Sequence, residues 1–269
     1  MKKYIIILFV FVSILSCNNY KNDENIVISL GGEVATIDPH LNTANIGTVY
    51  IRHFFEGLMK KDKDGKIIPG IAERYEISDD GLVYTFYLRT NAKWSDGKNF
   101  TSDDFLYSYR RFVDHKTAAP YGHLMKPIKN ALKITKGEIP VEELGIKKID
   151  DYTLEITLEN PTAYFLELAD MYLPVRKDII EEYGNTWVLN PESYICNGPY
   201  KMKERIIDDK IVMEINTNYY DYDKLVAKNI TIKMISDRNT ALAGVRNGDI
   251  HFSNLVPPQE VEELRKEKL

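Results

Sequence analysis

Residues Tyr84–Gly97 read YTFYLRTNAKWSDG, and after two further residues Phe100–Arg111 read FTSDDFLYSYRR. The first stretch lies in a run of β-branched and aromatic residues that predicts a strand over Leu82–Arg89, directly after a turn at Asp79–Gly81. The second stretch predicts a helix over Ser102–Asp114, because a hydroxyl side chain and two aspartates can satisfy the free N–H groups of a first helical turn. A strand and a helix in such close succession indicate a mixture of α and β structure.

The rest of the chain continues this mixture. Ile26–Leu30 is a short apolar run ended by two glycines, which predicts a buried strand. Ile46–Met59 carries apolar residues at helical spacing, Lys60–Gly65 reads as a charged turn, and Thr153–Glu159 alternates as a half-solvated strand does. Further predicted elements are helices at Ala163–Met171, Asp178–Tyr183 and Arg238–Asn247, a hairpin of Tyr200–Arg205 and Lys210–Asn216, and strands at Ile230–Ile235 and Ile250–Phe252. The predicted fold class is α/β or α+β with mixed sheets and no internal repeat.

The composition is that of an ordinary globular protein with one large domain or two modest ones. The chain has 269 residues, of which 44% are hydrophobic and 28% charged, and these values exclude collagen-like, low-complexity and polytopic membrane proteins. The formal net charge is −5, and no basic patch with interleaved aromatics occurs. The sequence therefore does not indicate a nucleic-acid-binding protein.

The amino terminus predicts export. Two lysines precede Tyr4–Leu15, an apolar stretch with a single serine, which is too short to span a bilayer but typical of a signal peptide over residues 1–16. Ile14–Cys17 resembles the bacterial lipobox, in which the cysteine is lipidated, so we expect Cys17 to hold the lipid anchor and residues 17–25 to form a polar tether. A plain signal peptide and a buried apolar helix are the alternatives.

Removal of those 16 residues would leave 253 residues and, with two lysines gone, a net charge of −7 instead of −5. No polybasic segment follows, so the lipid itself would hold the protein at the membrane. With Cys17 acylated, Cys196 is the only other cysteine, which excludes an intramolecular disulfide. We expect Cys196 to be a small buried residue and not a nucleophile.

No sequence motif points to catalysis, to a metal or to a cofactor. The five histidines lack metal-ligand spacing, and the chain has neither a nucleophile elbow nor a phosphate-binding loop. Asp62–Gly65 imitates part of a calcium loop, but Lys60 and Ile71 stand where carboxylates are required. Trp94–Gly97 contains a serine and an aspartate with no histidine at hand, and we interpret it as an Asp-Gly turn beside a packed tryptophan. The prediction is a binding protein without a cofactor, not an enzyme.

Several segments, taken in order, resemble the family-5 solute-binding proteins, the extracytoplasmic receptors of peptide and nickel ABC importers. The segments are Ile37–His40 (IDPH), Phe55–Leu58 (FEGL), Pro69–Glu73 (PGIAE), Tyr84–Gly97 with the helix after it, Asn197–Tyr200 (NGPY) and Arg246–Ile250 (RNGDI). The resemblance covers Ile26–Leu269. Within the family, Thr117–Tyr121 (TAAPY) resembles a segment of the oligopeptide-binding members, which favours oligopeptides over dipeptides, nickel chelates or other solutes.

The resemblance implies a periplasmic-binding-protein-like lobe with a mixed sheet, made of residues 26–57 and 183–269, and an inserted smaller α+β domain over residues 58–182. It also implies a monomer whose two lobes close on an extended peptide through strand-like main-chain hydrogen bonds, while hydrated pockets tolerate any side chain. The closed form would then dock on the membrane subunits of an ABC permease.

Four positions match places where the family contacts its peptide. Tyr121 matches a pocket tyrosine, and Asn254 falls near a ligand-facing asparagine. Thr43 and Asn45 fall where relatives place an acid and a backbone contact near the peptide's amino end. A threonine in place of the acid puts charge complementarity to an α-ammonium group in doubt. The alternatives are simple packing for Tyr121 and capping of the helix near Ile46 for Thr43 and Asn45.

Relatives are longer, and the resemblance implies that the second ligand-binding lobe is missing from these 269 residues. We therefore expect a truncated receptor that binds peptide weakly or not at all, with apolar surface exposed where the second lobe would pack. The alternative function is a surface lipoprotein with a protein ligand, such as an adhesin or a signalling partner.

Overall fold

A computed structural model describes residues 24–267 of the chain. The predicted signal peptide, Cys17 and most of the predicted tether lie outside the described residues. The strands are β1 (Asn25–Gly31), β2 (Met59–Lys61), β3 (Ile67–Pro69), β4 (Ala72–Ile77), β5 (Val83–Leu88), β6 (Ile146–Asp150), β7 (Thr153–Thr157), β8 (Tyr200–Ile206), β9 (Lys210–Ile215), β10 (Asn229–Met234) and β11 (Phe252–Ser253). The α-helices are α1 (Asn45–Phe54), α2 (Ser102–Val113), α3 (Ala131–Thr135), α4 (Phe165–Met171), α5 (Lys177–Tyr183), α6 (Arg238–Arg246) and α7 (Val261–Glu267).

Strand β5 lies inside a four-stranded antiparallel sheet with the order β4-β5-β7-β6. Tyr84, Phe86 and Leu88 are buried and alternate with more exposed residues, as expected of a strand with one face in the core. Strand β7 alternates in the same way, and its Leu154 stands opposite Phe86. The two strands predicted around these residues are confirmed.

Helix α2 packs against this sheet next to β6 and confirms the predicted helix, but its cap differs. Thr101, and not Ser102, is the N-cap residue. The backbone N–H of Thr101 donates to the Asp104 carboxylate (2.8 Å), which is one half of a capping box. Ser102 is fully buried and donates to the main-chain carbonyl of Asp150 instead. The predicted hydroxyl cap is therefore shifted by one residue towards the amino terminus.

The other large sheet has five strands in the order β11-β1-β10-β9-β8. β1 runs parallel to β10 and β11, whereas β10, β9 and β8 pair antiparallel. β8 and β9 form the predicted hairpin, and Asp208 in its turn has a φ of 60°. Residues 25–31 and 200–253 supply all five strands, so the two ends of the described chain build one sheet and the middle builds the other. This mixed architecture confirms the predicted fold class.

Helix α1 is shorter than the sequence predicts. It ends at Phe54, five residues before the predicted end at Met59. The carbonyl of Phe54 accepts a hydrogen bond from the N–H of Gly198 (2.7 Å). Gly57 then passes so close to the main chain of Ala169 that a β-carbon would lie 2.6 Å from that residue's carbonyl oxygen. These contacts with distant segments require an extended chain where the apolar spacing favours a helix.

The Trp94–Gly97 turn is confirmed and connects the two halves of the fold. Gly97 has a φ of 87° and its N–H donates to the Trp94 carbonyl (2.9 Å). The N–H of Ser95 donates to the carbonyl of Cys196 (2.7 Å), whose own N–H donates to the Ser95 hydroxyl (3.2 Å). Cys196 is fully buried, as expected, and burial raises the pKa of its thiol to about 12. Such a thiol is a packing residue at neutral pH.

Candidate functional site

A cavity of about 290 Å³ opens at the amino end of α1, and we name it the α1 cavity. Polar side chains line one part of it, and apolar and aromatic side chains line the remainder. The lining residues are Pro39, Asn42, Thr43, Asn45, Thr48, Ile51, Arg52, Phe112, Tyr121, Leu124, Met171, Tyr172 and Leu173. Three of the four candidate positions, Thr43, Asn45 and Tyr121, therefore line one cavity although they are far apart in sequence.

The polar groups of these three residues have no partner in the described part of the chain. The side chains of Thr43, Asn45 and Tyr121 form no hydrogen bond there. The N-cap of α1 is Ala44, which has no side-chain cap, so the capping alternative for Thr43 and Asn45 is wrong. The loop is held instead by Asn42, whose amide donates to the Ala44 carbonyl (3.0 Å). Three polar side chains and the free N–H groups of a first helical turn are thus available to a ligand.

Tyr121 lines the cavity and is 42% exposed. It begins a 3-10 turn over Gly122–Met125. The hydroxyl of Tyr172, which follows α4, donates to the carbonyl of Leu124 (2.7 Å) within that turn. This bond holds the Tyr121 segment next to the end of α4, where Met171 also lines the cavity.

Arg52 is the only charged residue among those that line the α1 cavity. Its Nη2 donates to Asp170 Oδ2 (3.0 Å), and its Nη1 pairs with Oδ1 of the same carboxylate (2.5 Å). The Asp170 side chain is buried, so this bidentate pair is shielded from solvent on one side. Arg52 and Asp170 also line a neighbouring cavity of about 420 Å³. The charge of Arg52 is therefore neutralised where it borders the α1 cavity.

A buried ion pair holds the loop between β1 and α1, which contains Asp38 and the cavity residue Pro39. Nη2 of Arg111, on α2, donates to Asp38 Oδ2 (2.8 Å), and the same carboxylate oxygen accepts from Trp187 Nε1 (3.1 Å). Burial raises the pKa of Asp38, but the charges of Arg111 and His40 and the hydrogen bonds to the carboxylate lower it further, so the net shift is downward. The IDPH segment, α2 and the Trp187 region are thus joined through one carboxylate.

His40 belongs to the same network and is neutral. Its Nδ1 lies 2.8 Å from Arg111 Nη1, which can only donate, and its Nε2 lies 2.9 Å from the carbonyl of Leu173. This fixes the tautomer that carries its hydrogen on Nε2. Burial, and then the neighbouring Arg111 charge, lower the pKa of His40 to about 4. His40 thereby positions Leu173, which lines the α1 cavity.

A second polar cluster surrounds Glu56 of the FEGL segment, which directly follows α1. The Glu56 carboxylate accepts from the hydroxyls of Tyr219 (2.5 Å) and Tyr220 (2.6 Å). Lys60 Nζ donates to the Tyr220 hydroxyl (2.8 Å), and the Asn197 amide donates to the Glu56 carbonyl (2.9 Å). Burial, and then Glu56, raise the pKa of both tyrosines. These groups satisfy one another, so this cluster holds the FEGL and NGPY segments together.

Asn254 does not line the α1 cavity. It is exposed and directly follows β11, whose Ser253 pairs with Ser29 of β1. It therefore lies at the carboxyl end of the parallel strands, the end from which the chain leaves β1 towards Pro39. Its role as a peptide contact stays a prediction.

Two observations concern residues 24–267 as a whole. Within this range no group of three or more His, Cys, Asp or Glu side chains is arranged to hold a metal ion. The same residues contain no helix with the length and apolar character needed to cross a bilayer.

The sequence did not point to several residues that shape the cavity. Leu124, Met171 and Leu173 are ordinary apolar residues on separate elements, and only tertiary packing brings them together. The helical spacing of apolar residues on α1 places Arg52 beside the apolar face and predicts nothing more about it. Its pairing with Asp170 carries no sequence signal, because the two residues are far apart in the chain.

The chain matches known proteins over most of its length. Residues 66–269 match the model of the bacterial extracellular solute-binding proteins, family 5 Middle. The periplasmic oligopeptide-binding protein OppA of Salmonella typhimurium is 37% identical over 249 residues, which are 91% of this chain and 46% of that protein. The chain thus spans about half the length of the curated relatives that it matches.

Solved structures show the same fold. The crystal structure of Haemophilus influenzae OppA in complex with the peptide RPPGFSPFR superposes with a TM-score of 0.88 at 35% identity, covering 92% of this chain and 49% of that one. The Escherichia coli murein tripeptide-binding protein MppA gives a TM-score of 0.86 at 34% identity, covering 90% of this chain and 48% of its own.

Proposed function

Because the chain belongs to family 5 of the bacterial extracellular solute-binding proteins, we propose that its α1 cavity binds part of an oligopeptide destined for an ABC importer. One observation carries the proposal: the unpaired polar side chains of Thr43, Asn45 and Tyr121 gather around a single cavity. Unpaired hydrogen-bonding groups at a cavity rim are what a polar ligand needs. The names of the relatives supply the ligand class, since OppA is an oligopeptide-binding protein and MppA binds a murein tripeptide.

The chemistry of the cavity suits main-chain recognition. The Thr43 hydroxyl and the Asn45 amide can each donate and accept, and the first turn of α1 offers free N–H groups to a peptide carbonyl. The Tyr121 hydroxyl can bond from the other side of the opening. Recognition of this kind gives affinity through the backbone of an extended peptide.

We propose that the cavity binds its ligand without catalysis. Its lining has Thr and Tyr hydroxyls but no Asp, Glu, His, Lys or Cys side chain that could act as their base. Without His, Asp, Glu or Cys, the lining also lacks the usual ligands of a free nickel ion. Together with the oligopeptide-binding relatives, these features favour a peptide receptor over an enzyme or a receptor for a free nickel ion.

We propose that the chain is organised into a first lobe and an inserted domain. Residues 26–57 and 183–269 form a first lobe around the five-stranded sheet, and residues 58–182 form an inserted domain around the four-stranded sheet. The arrangement of strands supports this division, because each sheet takes its strands from one of these two parts. We propose a monomer, with Asn254 at the edge of the first lobe as a further peptide contact.

We also propose that the protein is exported and anchored through a lipid on Cys17. The support is the short apolar stretch after two lysines and the lipobox-like Ile14–Cys17. Labelled palmitate should enter the wild-type protein in the producing bacterium but not the Cys17→Ala variant. Equal labelling of both proteins would overturn the lipid assignment and leave the peptide proposal unaffected.

Peptide binding can be tested with methyl-labelled methionine and leucine by NMR. Met171 is half exposed at the cavity, whereas Met213 is fully buried in the five-stranded sheet and serves as an internal control. Because the cavity is open, we expect trialanine to bind with a dissociation constant of about 1 mM, near 4 kcal/mol of binding free energy. The Met171 signal should shift during the titration and the Met213 signal should not.

The matched variants are Tyr121→Ala and Tyr222→Ala. Both tyrosines are more than two-fifths exposed, but only Tyr121 lines the α1 cavity. Loss of one peptide hydrogen bond and its aromatic contact should weaken binding about tenfold for Tyr121→Ala and leave Tyr222→Ala unchanged. A Met171 signal that stays in place up to 10-fold above the expected constant, about 10 mM trialanine, would contradict the proposal.

A further inference from the structure

One part of the α1 cavity lining is apolar. Phe112 and Leu173 belong to it and are buried, and Tyr172 belongs to it with its hydroxyl already donated to a main-chain carbonyl. Leu124 and Met171 complete this part, and Met171 is 49% exposed. The unpaired polar groups of Thr43 and Asn45 lie instead on the α1 side. The cavity therefore has a polar side and an apolar side.

No free charge borders this cavity. Its lining has no acidic side chain, and its single basic side chain, Arg52, is held by both carboxylate oxygens of Asp170. Asp170 already offsets the guanidinium charge, so an acidic ligand side chain would find no unpaired cation, and a basic one would find no free carboxylate. A charged group would thus lose water without gaining a full counter-charge, which is unfavourable.

The cavity is small for a ligand site, and its volume is sufficient for one large side chain. Sites for drug-sized ligands occupy roughly 300–1,000 Å³, and the α1 cavity has about 290 Å³. A single residue can therefore enter while the rest of an extended peptide remains at the rim. Methionine is unbranched and adapts its shape, so Met171 at the opening can close over side chains of different outline.

From these observations we infer that the α1 cavity selects an uncharged apolar or aromatic side chain of the bound peptide. This inference rests on the proposed peptide-binding function and specifies its substrate. It departs from the expectation drawn from the family resemblance, in which hydrated pockets tolerate any side chain. The difference follows from the residues of this chain, namely the apolar part of the cavity lining and the neutralised Arg52.

The test compares tripeptides by the same NMR titration. One alanine of trialanine is replaced by Phe, Leu, Glu or Lys, at each of the three positions in turn. At one position at least, the Phe and Leu peptides should bind about tenfold more tightly than the Glu and Lys peptides, a difference of about 1.4 kcal/mol. At the other positions, which remain at the rim, the four peptides should differ by much less.

A variant pair links the preference to the cavity. Met171→Glu introduces a carboxylate at the opening, and the ratio of Phe-peptide to Lys-peptide affinity should fall about tenfold, with the Leu124 methyl signal as the reporter. Leu132→Glu makes the same kind of change at a site that is 44% exposed and does not line the α1 cavity. That control should keep the wild-type ratio.

Each outcome decides the question. A preference for Phe and Leu that Met171→Glu reduces and Leu132→Glu does not supports the inference. Binding of all peptides with equal affinity would overturn the inference while leaving the proposed function intact. A preference that is the same in Met171→Glu would also overturn it, because the selecting site would then lie elsewhere. Failure of every peptide to bind would overturn both the inference and the proposed function.

Discussion

Asp38 and Arg111 form a buried ion pair that holds the IDPH segment, whose Pro39 lines the α1 cavity. Asp38 is 2% exposed and Arg111 10%, and the carboxylate also accepts from Trp187 and from the backbone of His40. A carboxylate that has lost its cation in such a place would be left buried without charge compensation.

We predict that Arg111→Ala lowers the free energy of unfolding by about 3–5 kcal/mol, because one partner of a buried pair is removed. Urea denaturation followed by circular dichroism measures the change. The control is Lys98→Ala, which breaks an exposed pair with Asp178 (3.0 Å) and should cost less than about 1 kcal/mol. Equal effects of the two substitutions would show that the Asp38 pair is not a structural element.

His40 makes stability depend on pH. Its pKa is about 4 in the folded protein and about 6.5 in the unfolded chain. Between these values only the unfolded chain takes up the proton, so the free energy of unfolding is at its full value above pH 6.5 and falls as the pH drops towards 4. Burial also lowers the pKa of His53, which adds a loss of the same sign.

From pH 6.5 to pH 5 we expect His40 to account for about 1.5 kcal/mol of lost stability. The His40→Gln variant should lack that part of the pH dependence, whereas the exposed His123→Gln variant should keep it. Denaturation curves at the two pH values provide the comparison. Identical pH dependence in wild type and His40→Gln would mean that His40 does not stay neutral in the folded protein.

At the scale of elements, patterning predicted the strands and helices that bury one face. β5 and β7 alternate between buried and half-exposed residues, and α2 carries a continuous apolar face. In each of them the hydrophobic period and the residue composition predict the same type of element. β4 (AERYEI) and β6 (IKKID) escaped prediction, because most of their residues are exposed or half-exposed and no alternation appears. β2 and β3 have three residues each, too few for a period to show.

The end of α1 and the α1 cavity mark the limit of local prediction. The apolar spacing of residues 46–59 favours a longer helix, and Gly198 and Ala169, both distant in sequence, prevent it. For the site, Thr43, Asn45 and Tyr121 came from the family resemblance. Met171 and Leu124 have no motif of their own and acquire a role only through tertiary packing. In both cases contacts between residues far apart in the sequence determine the structure, and such contacts produce no periodic pattern in the sequence.

The central role of β5 leads to a prediction at this scale. Phe86 is fully buried and its ring lies 6.1 Å from that of Tyr75 and 6.5 Å from that of Phe165. Phe86→Ala should lower the free energy of unfolding by about 3–5 kcal/mol, because a large cavity is left in the core. Thr85→Ala, on the other face of the strand, should change it by less than about 1 kcal/mol. A cost below about 1 kcal/mol for Phe86→Ala would show that β5 is not central to the core.

At the scale of the whole molecule, the two sheets are joined by buried polar contacts. The Asp38–Arg111 pair connects the loop after β1 with α2, and the Ser95–Cys196 hydrogen bonds connect the Trp94 turn with the segment before β8. The two parts should therefore unfold together, although each has its own sheet.

The two tryptophans test this cooperativity, because Trp94 lies in the proposed inserted domain and Trp187 in the proposed first lobe. In the Trp187→Phe variant, Trp94 fluorescence and far-ultraviolet circular dichroism should report the same urea midpoint. The same coincidence is expected for Trp187 fluorescence in Trp94→Phe. Separate midpoints in Trp94→Phe, which keeps the hydrogen bond from Trp187 to Asp38, would indicate two independent units.

The central claim is that a peptide occupies the α1 cavity, and photo-crosslinking tests it most directly. A tripeptide with 4-benzoylphenylalanine between two alanines would be irradiated with the protein, and the modified residue mapped by mass spectrometry. We predict crosslinks at Met171, Tyr121 or Leu124, which line the α1 cavity, and their suppression by excess Ala-Phe-Ala. Crosslinks confined to residues outside the α1 cavity, or crosslinks that the competing peptide does not suppress, would contradict the claim.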